Sequence, residues 1–334
     1  MSATAIVVDP LSADRAELER LVELAHRWGR YRVYGEGDAI SHPLGQGLLP
    51  RHDSVLHFLR HGGRRGTTED LALLTARTAY FREEYAYDGG ERIGGAQHFL
   101  HHPRLIGAAV SLYGRPLVEP AIVFANLMVP GQELVVHTDV PEFRGANRKN
   151  TPQWLLVAMA HSGLFEPWRL HIATGIAYVQ DGDGGALRYW PDGVDGPAKT
   201  HAVRADTAIV LDTDTVPHGV DPVGGAAEPP AVGAGATLAS GADGRWALTT
   251  ADGETTATYE WDELRCSVSW KAYCFADEAE RSRWQDHTDD LSPTEVTDRL
   301  VGDLVKRGLV QPDVLRDRDL GLRVIDTYIH YPDA

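Results

Sequence analysis

Val135-Val136-His137-Thr138-Asp139-Val140 and, far downstream, Val216-Pro217-His218-Gly219-Val220 are the segments on which the reading of this chain turns. In an extended strand, residues i and i+2 project to the same side. His137 and Asp139 therefore converge on one point when Thr138 turns away. A second histidine, His218, has to arrive from another strand. Two neutral imidazoles and one carboxylate suit a divalent first-row ion, and three ligands on one face leave the opposite face open, as O2 chemistry at Fe(II) requires. A structural zinc site would instead be closed by four ligands, usually with thiolates among them.

The texture around these segments is that of a β-rich core. From Leu117 onward, short runs rich in strand-forming residues are separated by Gly, Pro and Asp turn signals such as Asp181-Gly182-Asp183-Gly184-Gly185. The strand-like runs are Glu119–Val129, Gln132–His137, Gln153–Ala160, Leu170–Gln180, Leu187–Trp190, Thr200–Val203, Thr207–Asp212 and Pro217–Val223. Many short strands at this spacing predict an antiparallel double-sheet barrel or jelly roll. Residues 224–244 are rich in Gly, Ala and Pro and read as a flexible loop. Two further runs, Arg245–Thr250 and Thr255–Trp261, flank Ala251-Asp252-Gly253-Glu254 as a hairpin. Arg265–Phe275 is the last long strand.

Helical patterns flank this core. Residues 13–29 carry Leu18, Leu21, Val22, Leu24 and Ala25 at helical spacing and end at a glycine. A short helix is expected near Ser54–His61, and Thr67-Thr68-Glu69-Asp70 reads as the cap of a helix running to about Tyr85. Ser292-Pro293-Thr294-Glu295 opens a C-terminal helix that stops at Gly308. No internal repeat or long linker separates domains. The expected organisation is one mainly β domain with flanking helices (α+β): a helical flank at 1–116, a core at 117–275 with an inserted loop and hairpin at 224–262, and a helical flank at 276–334.

Composition narrows the function. The chain has 334 residues, 43% of them apolar, and a net charge of −16 with pI near 5.3, which argues against a nucleic-acid partner. No stretch approaches the roughly 18 consecutive apolar residues of a membrane span, and the N-terminus lacks a basic start and long apolar run. A cytoplasmic location is expected. Cys266 and Cys274 lie in one strand and, at ~3.3 Å per residue, ~26 Å apart, beyond disulfide reach; they read as buried thiols.

Other constellations compete for the chemistry. His98 and His102 share a helical face, but lack an acidic partner at helical spacing. His287-Thr288-Asp289 repeats the His-x-Asp spacing in a charged helical segment that has only His330 after it. Neither matches the first site. A further feature does: Arg265-x-Ser267 alternates in a strand beyond His218, and its side chains share a face able to grip a carboxylate by a guanidinium fork plus a hydroxyl. Lys271 on the same face is the reserve cation.

Taken together, Pro130–Asp139, Ala208–Val220 and Arg265-Cys266-Ser267 resemble the Fe(II)/2-oxoglutarate-dependent oxygenase superfamily over roughly residues 117–275. The resemblance implies a double-stranded β-helix (jelly-roll, cupin-like) core, with His137, Asp139 and His218 as iron ligands and Arg265 with Ser267 as the anchor for 2-oxoglutarate. It also implies O2-dependent hydroxylation, desaturation or ring closure of a small molecule, with release of succinate and CO2. One departure stands out. The family's arginine follows the distal histidine closely, whereas Arg265 lies 47 positions after His218, a gap attributed to the insertion at 224–262. Related halogenases carry a small residue in place of the carboxylate; here Asp139 is present.

Candidate substrate contacts are Asn126, Gln132 and Arg188 on strands, and Arg144, Arg148 and Trp154 on loops. The expected substrate is a small natural-product intermediate or amino-acid derivative. Three other readings remain open. A keto-acid-independent oxygenase would release no succinate, and a cupin-type isomerase or zinc enzyme would consume no O2. A non-enzymatic binding jelly roll would keep its ligand without His137.

Overall fold

The computed structural model describes residues 4–35, 40, 42, 44–61, 71–225 and 227–332. Eight core strands follow one another along the chain: β1 (Leu117–Met128), β2 (Leu134–His137), β3 (His171–Tyr178), β4 (Leu187–Tyr189), β5 (Lys199–His201), β6 (Thr207–Leu211), β7 (His218–Val220) and β8 (Arg265–Phe275). They divide between two sheets. The larger holds β6-β3-β8-β1 as neighbours, and the smaller is β2-β7-β4-β5. Every pairing among them is antiparallel. The chain crosses repeatedly from one sheet to the other, which is the double-stranded β-helix expected from the sequence.

Alternation on β8 explains where the interior lies. Cys266, Val268, Trp270, Ala272 and Cys274 belong to a core that also contains Leu21 and Leu24 of the helix Arg15–Trp28 and Phe99, Leu105 and Ala109 of the following helices. Arg265, Ser267 and Ser269 face the other way, into a cavity between the two sheets. On β1, Val123, Ala125 and Leu127 face the helices, while Phe124, Asn126 and Met128 line the cavity. The apolar face of the large sheet thus stabilises the fold, and its polar face is released for chemistry. Cys266 and Cys274 are buried free thiols, as expected.

Several local expectations change. Gln153–Ala160, read as a strand, is the helix Gln153–Ser162, with Trp154 through Met159 all buried. A short run that is apolar on every side has no period with which to choose between helix and strand. This helix packs with Pro293–Lys306 and Arg318–Tyr328 into a second core. The first 116 residues are also not purely helical. Ala5–Val8 extends the large sheet beyond β6, and Phe81–Tyr87 and Arg30–Val33 extend it beyond β1. The helix expected to reach Tyr85 ends at Thr78, because buried Phe81, Glu83 and Tyr85 alternate with less buried neighbours at the period of a strand. Its proposed cap at Thr67–Asp70 lies outside the described residues.

The insertion also has more structure than its composition indicated. Thr237–Ser240 pairs with Arg30–Val33 and with Trp246–Thr249, and the hairpin to Thr255–Tyr259 completes the edge of the large sheet. The C-terminal helix forms as read, with reciprocal capping between Ser292 and Glu295. Among the described residues, no helix is long and apolar enough to cross a membrane.

Candidate metal centre and anion pocket

His137 ends β2 and His218 begins β7, and the two are directly opposed in the antiparallel pair. Asp139 follows just beyond the strand, its backbone N–H donating to the Thr213 carbonyl at 2.8 Å. That bond ties the carboxylate to the turn preceding His218. The Nε2 atoms of His137 and His218 each lie 3.8 Å from Asp139 Oδ1. The donor atoms of all three residues lie within 4.8 Å of one another. Here are the two imidazoles and one carboxylate of the sequence reading, in one cluster.

The imidazoles are held ready for a cation. His137 Nδ1 is 2.7 Å from the Val135 carbonyl and His218 Nδ1 is 2.9 Å from that of Val216. A carbonyl can only accept, so both Nδ1 atoms donate and both Nε2 lone pairs face Asp139. Burial, then the neighbouring His218 and Arg51, push His137 down to about 3. Burial also lowers His218, against the pull of Asp139. Neutral rings are the form a metal requires. For Asp139, burial acts to raise the carboxyl, but the Lys271 ammonium outweighs it and holds it well below the usual range.

Lys271 is therefore not the reserve anchor. Its Nζ donates to Asp139 Oδ2 at 2.7 Å, leaving Oδ1 toward the imidazoles. Behind the cluster, Thr138 is fully buried. Its carbonyl accepts from Arg51 at 3.0 Å, Arg51 forms a two-pronged pair with Asp53, and Tyr331 donates to Asp53 at 2.7 Å. Residues from both ends of the chain thus brace the His-x-Asp segment. Buried Asp214, whose carboxyl is pushed up to about 7 by burial and by Asp212 and Asp139 against Lys271, lies close by.

The opposite end of the same cavity is cationic. Arg265 is 3% exposed, and among the described residues no carboxylate pairs with it. Its Nε donates to the Gly185 carbonyl at 2.7 Å, and its terminal nitrogens donate to Ser267 Oγ and Tyr178 Oη at 3.0 Å each. Gly185 has φ +64°, and a Cβ there would stand 2.6 Å from Arg265 Cδ. A buried guanidinium without a counter-charge is costly, and this one is held rigidly beside a cavity of about 630 Å³ including its open mouth. The arrangement calls for an anion.

The other candidate residues separate. Asn126 lines the cavity. Gln132 does not: fully buried, its amide accepts from the Val129 N–H at 2.9 Å and reaches toward the Ala76 carbonyl. Arg188 is 3.2 Å from Asp221, and it is the preceding Leu187 that lines the cavity. Trp154 belongs to the helical core, Arg144 is paired with Asp289, and Arg148 is not among the cavity-lining residues. For Gln132, Arg188, Arg144 and Trp154 the cause is shared: the sequence offers a polar or aromatic side chain, and a turn, an ion pair or packing engages it elsewhere.

The competing histidines are consumed likewise. His98 and His102 both approach Glu17, at 2.7 and 3.3 Å. His287 pairs with Asp290, and Asp289 with Arg144. The sequence reading missed Tyr178, Arg82 and Arg51. For Tyr178 a signal existed, since it shares a strand face with Thr174 and Ile176, which line the cavity; Arg82 fell in a stretch read as helix, and for Arg51 there was none.

No protein-family model matches this chain, and no curated protein does. Among solved structures, it is similar to the non-heme alpha-ketoglutarate-dependent epimerase SnoN from nogalamycin biosynthesis, with a TM-score of 0.42 and 11% identity over 82% of this chain and 79% of that one. A 2OG-Fe(II) oxygenase family oxidoreductase from Burkholderia pseudomallei gives 0.42 and 12%, over 81% and 85%. HygX from Streptomyces hygroscopicus, solved with nickel and 2-oxoglutarate bound, gives 0.40 and 8%, over 82% and 84%.

Proposed function

We propose that this protein is an Fe(II)- and 2-oxoglutarate-dependent oxygenase acting on a small molecule. The observation that carries the reading is that a single cavity holds both the His137–Asp139–His218 cluster and the buried, uncompensated Arg265. A keto acid that chelates the metal through one end presents its far carboxylate to such a cation. In this reading His137, Asp139 and His218 hold the iron, which supplies O2 activation coupled to decarboxylation of 2-oxoglutarate to succinate and CO2.

The protein's own residues supply the rest. Arg265, Ser267 and the Tyr178 hydroxyl bind the far carboxylate of the keto acid, and Gly185 leaves room for the Arg265 side chain while its carbonyl accepts from Nε. Lys271 orients Asp139. The brace through Thr138, Arg51, Asp53 and Tyr331 fixes the direction of the two ligands beside it. The apolar walls, including Met128, Leu134, Ile176, Leu187 and Val220, limit water around the reacting centre. Oxidation of a substrate C–H bond is the reaction class; one O2 and one 2-oxoglutarate are consumed per hydroxyl group formed, with one succinate and one CO2 released.

The test is anaerobic addition of Fe(II) and 2-oxoglutarate. A visible charge-transfer band of the chelate is expected, together with succinate formation once air and substrate are admitted. A protein that binds Fe(II) yet gives neither the band nor succinate would exclude the keto-acid reading.

A further inference from the structure

The inward face of the large sheet carries a second arginine that the keto acid does not use. Across the sheet, Arg82 stands opposite Asn126, Asn126 opposite Ser267, and Ser267 opposite Tyr178. Ser267 and Tyr178 serve Arg265. Arg82 and Asn126 make up the other end of the row, and both line the cavity.

Arg82 is held in place and only loosely paired. Its guanidinium lies over the Phe124 ring at 3.5 Å from the centroid, with the Tyr34 ring at 5.0 Å. Its acidic neighbour, Glu84, is 3.9 Å away, and Glu84 is itself engaged by Arg92 at 2.7 Å. Stacking occupies the faces of a guanidinium and leaves its N–H donors free in the plane. Next to it, Asn126 Oδ1 is a buried acceptor without a donor among the described residues. Tyr80, stacked on Tyr34, completes an aromatic wall beside these two groups.

Arg265 directs a terminal nitrogen to Tyr178 on β3, on the far side of β8 from the strand of Arg82. The strand of Arg82 lies two strands from β8, which at ~4.8 Å per strand is on the order of 10 Å. A keto acid reaching from the metal cluster to Arg265 leaves Arg82 free. We propose that Arg82 anchors a carboxylate of the substrate and that Asn126 Oδ1 accepts from a neighbouring N–H or O–H of the same molecule. The substrate class is thus an amino- or hydroxy-carboxylate with an apolar or ring portion against Phe124 and Tyr80. A single guanidinium with Glu84 close by favours a monoanion over a phosphate dianion. This assignment rests on the oxygenase reading of the adjacent cluster.

The experiment uses the intact protein, loaded anaerobically with Fe(II) and 2-oxoglutarate so that Arg265 is already occupied. The probes are L-phenylalanine, 3-phenyllactate and 3-phenylpropionate, each against its primary amide, followed by calorimetry and by perturbation of the chelate band. At least one acid is expected to bind at millimolar concentration or below, roughly tenfold or more tighter than its amide. Arg82→Gln is expected to bring that acid down to the level of its amide while leaving the chelate band and 2-oxoglutarate affinity unchanged. Arg82→Lys, which keeps the charge but loses the fork, is expected to recover part of the preference and covers the case in which the Gln variant does not fold.

Equal binding of acid and amide, no acid bound by the wild type, or an undiminished preference in Arg82→Gln would each overturn the assignment. If the wild type forms no chelate band, the oxygenase reading is what fails. The same acid and amide pairs titrated against metal-free protein then decide the Arg82 site on its own.

Discussion

His137 and His218 are directly opposed residues on neighbouring antiparallel strands, with ring centroids 4.5 Å apart. A cross-strand pair is the closest approach a sheet gives two side chains. Here it brings together two histidines from distant parts of the chain, and the carboxylate two residues after the first completes the set. The metal-binding geometry is therefore a property of strand register. A slip of one residue in that pairing would turn one imidazole out of the cavity.

Asp139 shares its two oxygens between the imidazole side and Lys271. Asp139→Ala is expected to weaken iron retention and abolish substrate oxidation. Lys271→Met is expected to weaken Fe(II) affinity by roughly 10–100-fold, the cost typical of losing a group that orients a ligand. Metal titration with a competing chelator measures both. An unchanged affinity in the Lys271 variant would show that Asp139 needs no such orientation.

Arg265 and Gly185 form one device. Arg265→Gln removes the charge that compensates a carboxylate, and a 10–100-fold rise in KM for 2-oxoglutarate is expected, about 1.5–3 kcal/mol of charge-assisted bonding. Gly185→Ala acts in the same direction, because the new Cβ collides with Arg265 Cδ and the backbone is left-handed. Iron affinity should hold in both. Steady-state kinetics with varied 2-oxoglutarate, beside a metal titration, separates the two effects.

The brace behind Thr138 predicts an acid-side dependence of stability. Burial acts to raise the Asp53 carboxyl, but Arg51 and the Tyr331 hydroxyl outweigh it and hold it below its ordinary value. A depressed folded-state pKa contributes stability above the unfolded value of about 3.9, lost as pH falls through the folded value. Asp53→Asn should flatten that part of the curve. It should also lower stability at neutral pH by about 3–5 kcal/mol, since Arg51 is left without its partner. Thermal melts of both proteins across the acid range would show the difference; parallel curves would exclude it.

Trp154, a substrate candidate on sequence grounds, sits 1% exposed in the helical core. Trp154→Ala is expected to cost about 3–5 kcal/mol of stability with no change in the KM for 2-oxoglutarate or in iron affinity. Denaturant unfolding with parallel kinetics tests this. A selective loss of substrate binding at full stability would return Trp154 to the site.

By itself the sequence determined the alternation of short strands, the shared face of Arg265 and Ser267 on β8, the cap of the C-terminal helix, and the residue types of a three-ligand cluster. These are local: period, turn chemistry and ligand type are written within a few residues of one another. Only the tertiary structure decided that Gln153–Ser162 is a helix, since a run buried on every side carries no period. It also decided that Gln132, Arg188 and Trp154 are used up away from the cavity, that Lys271 pairs with Asp139, and that Arg82 lines the cavity. Whether a polar side chain is free for function depends on which distant partner reaches it first, and that is fixed by strand order and packing rather than by its neighbours along the chain.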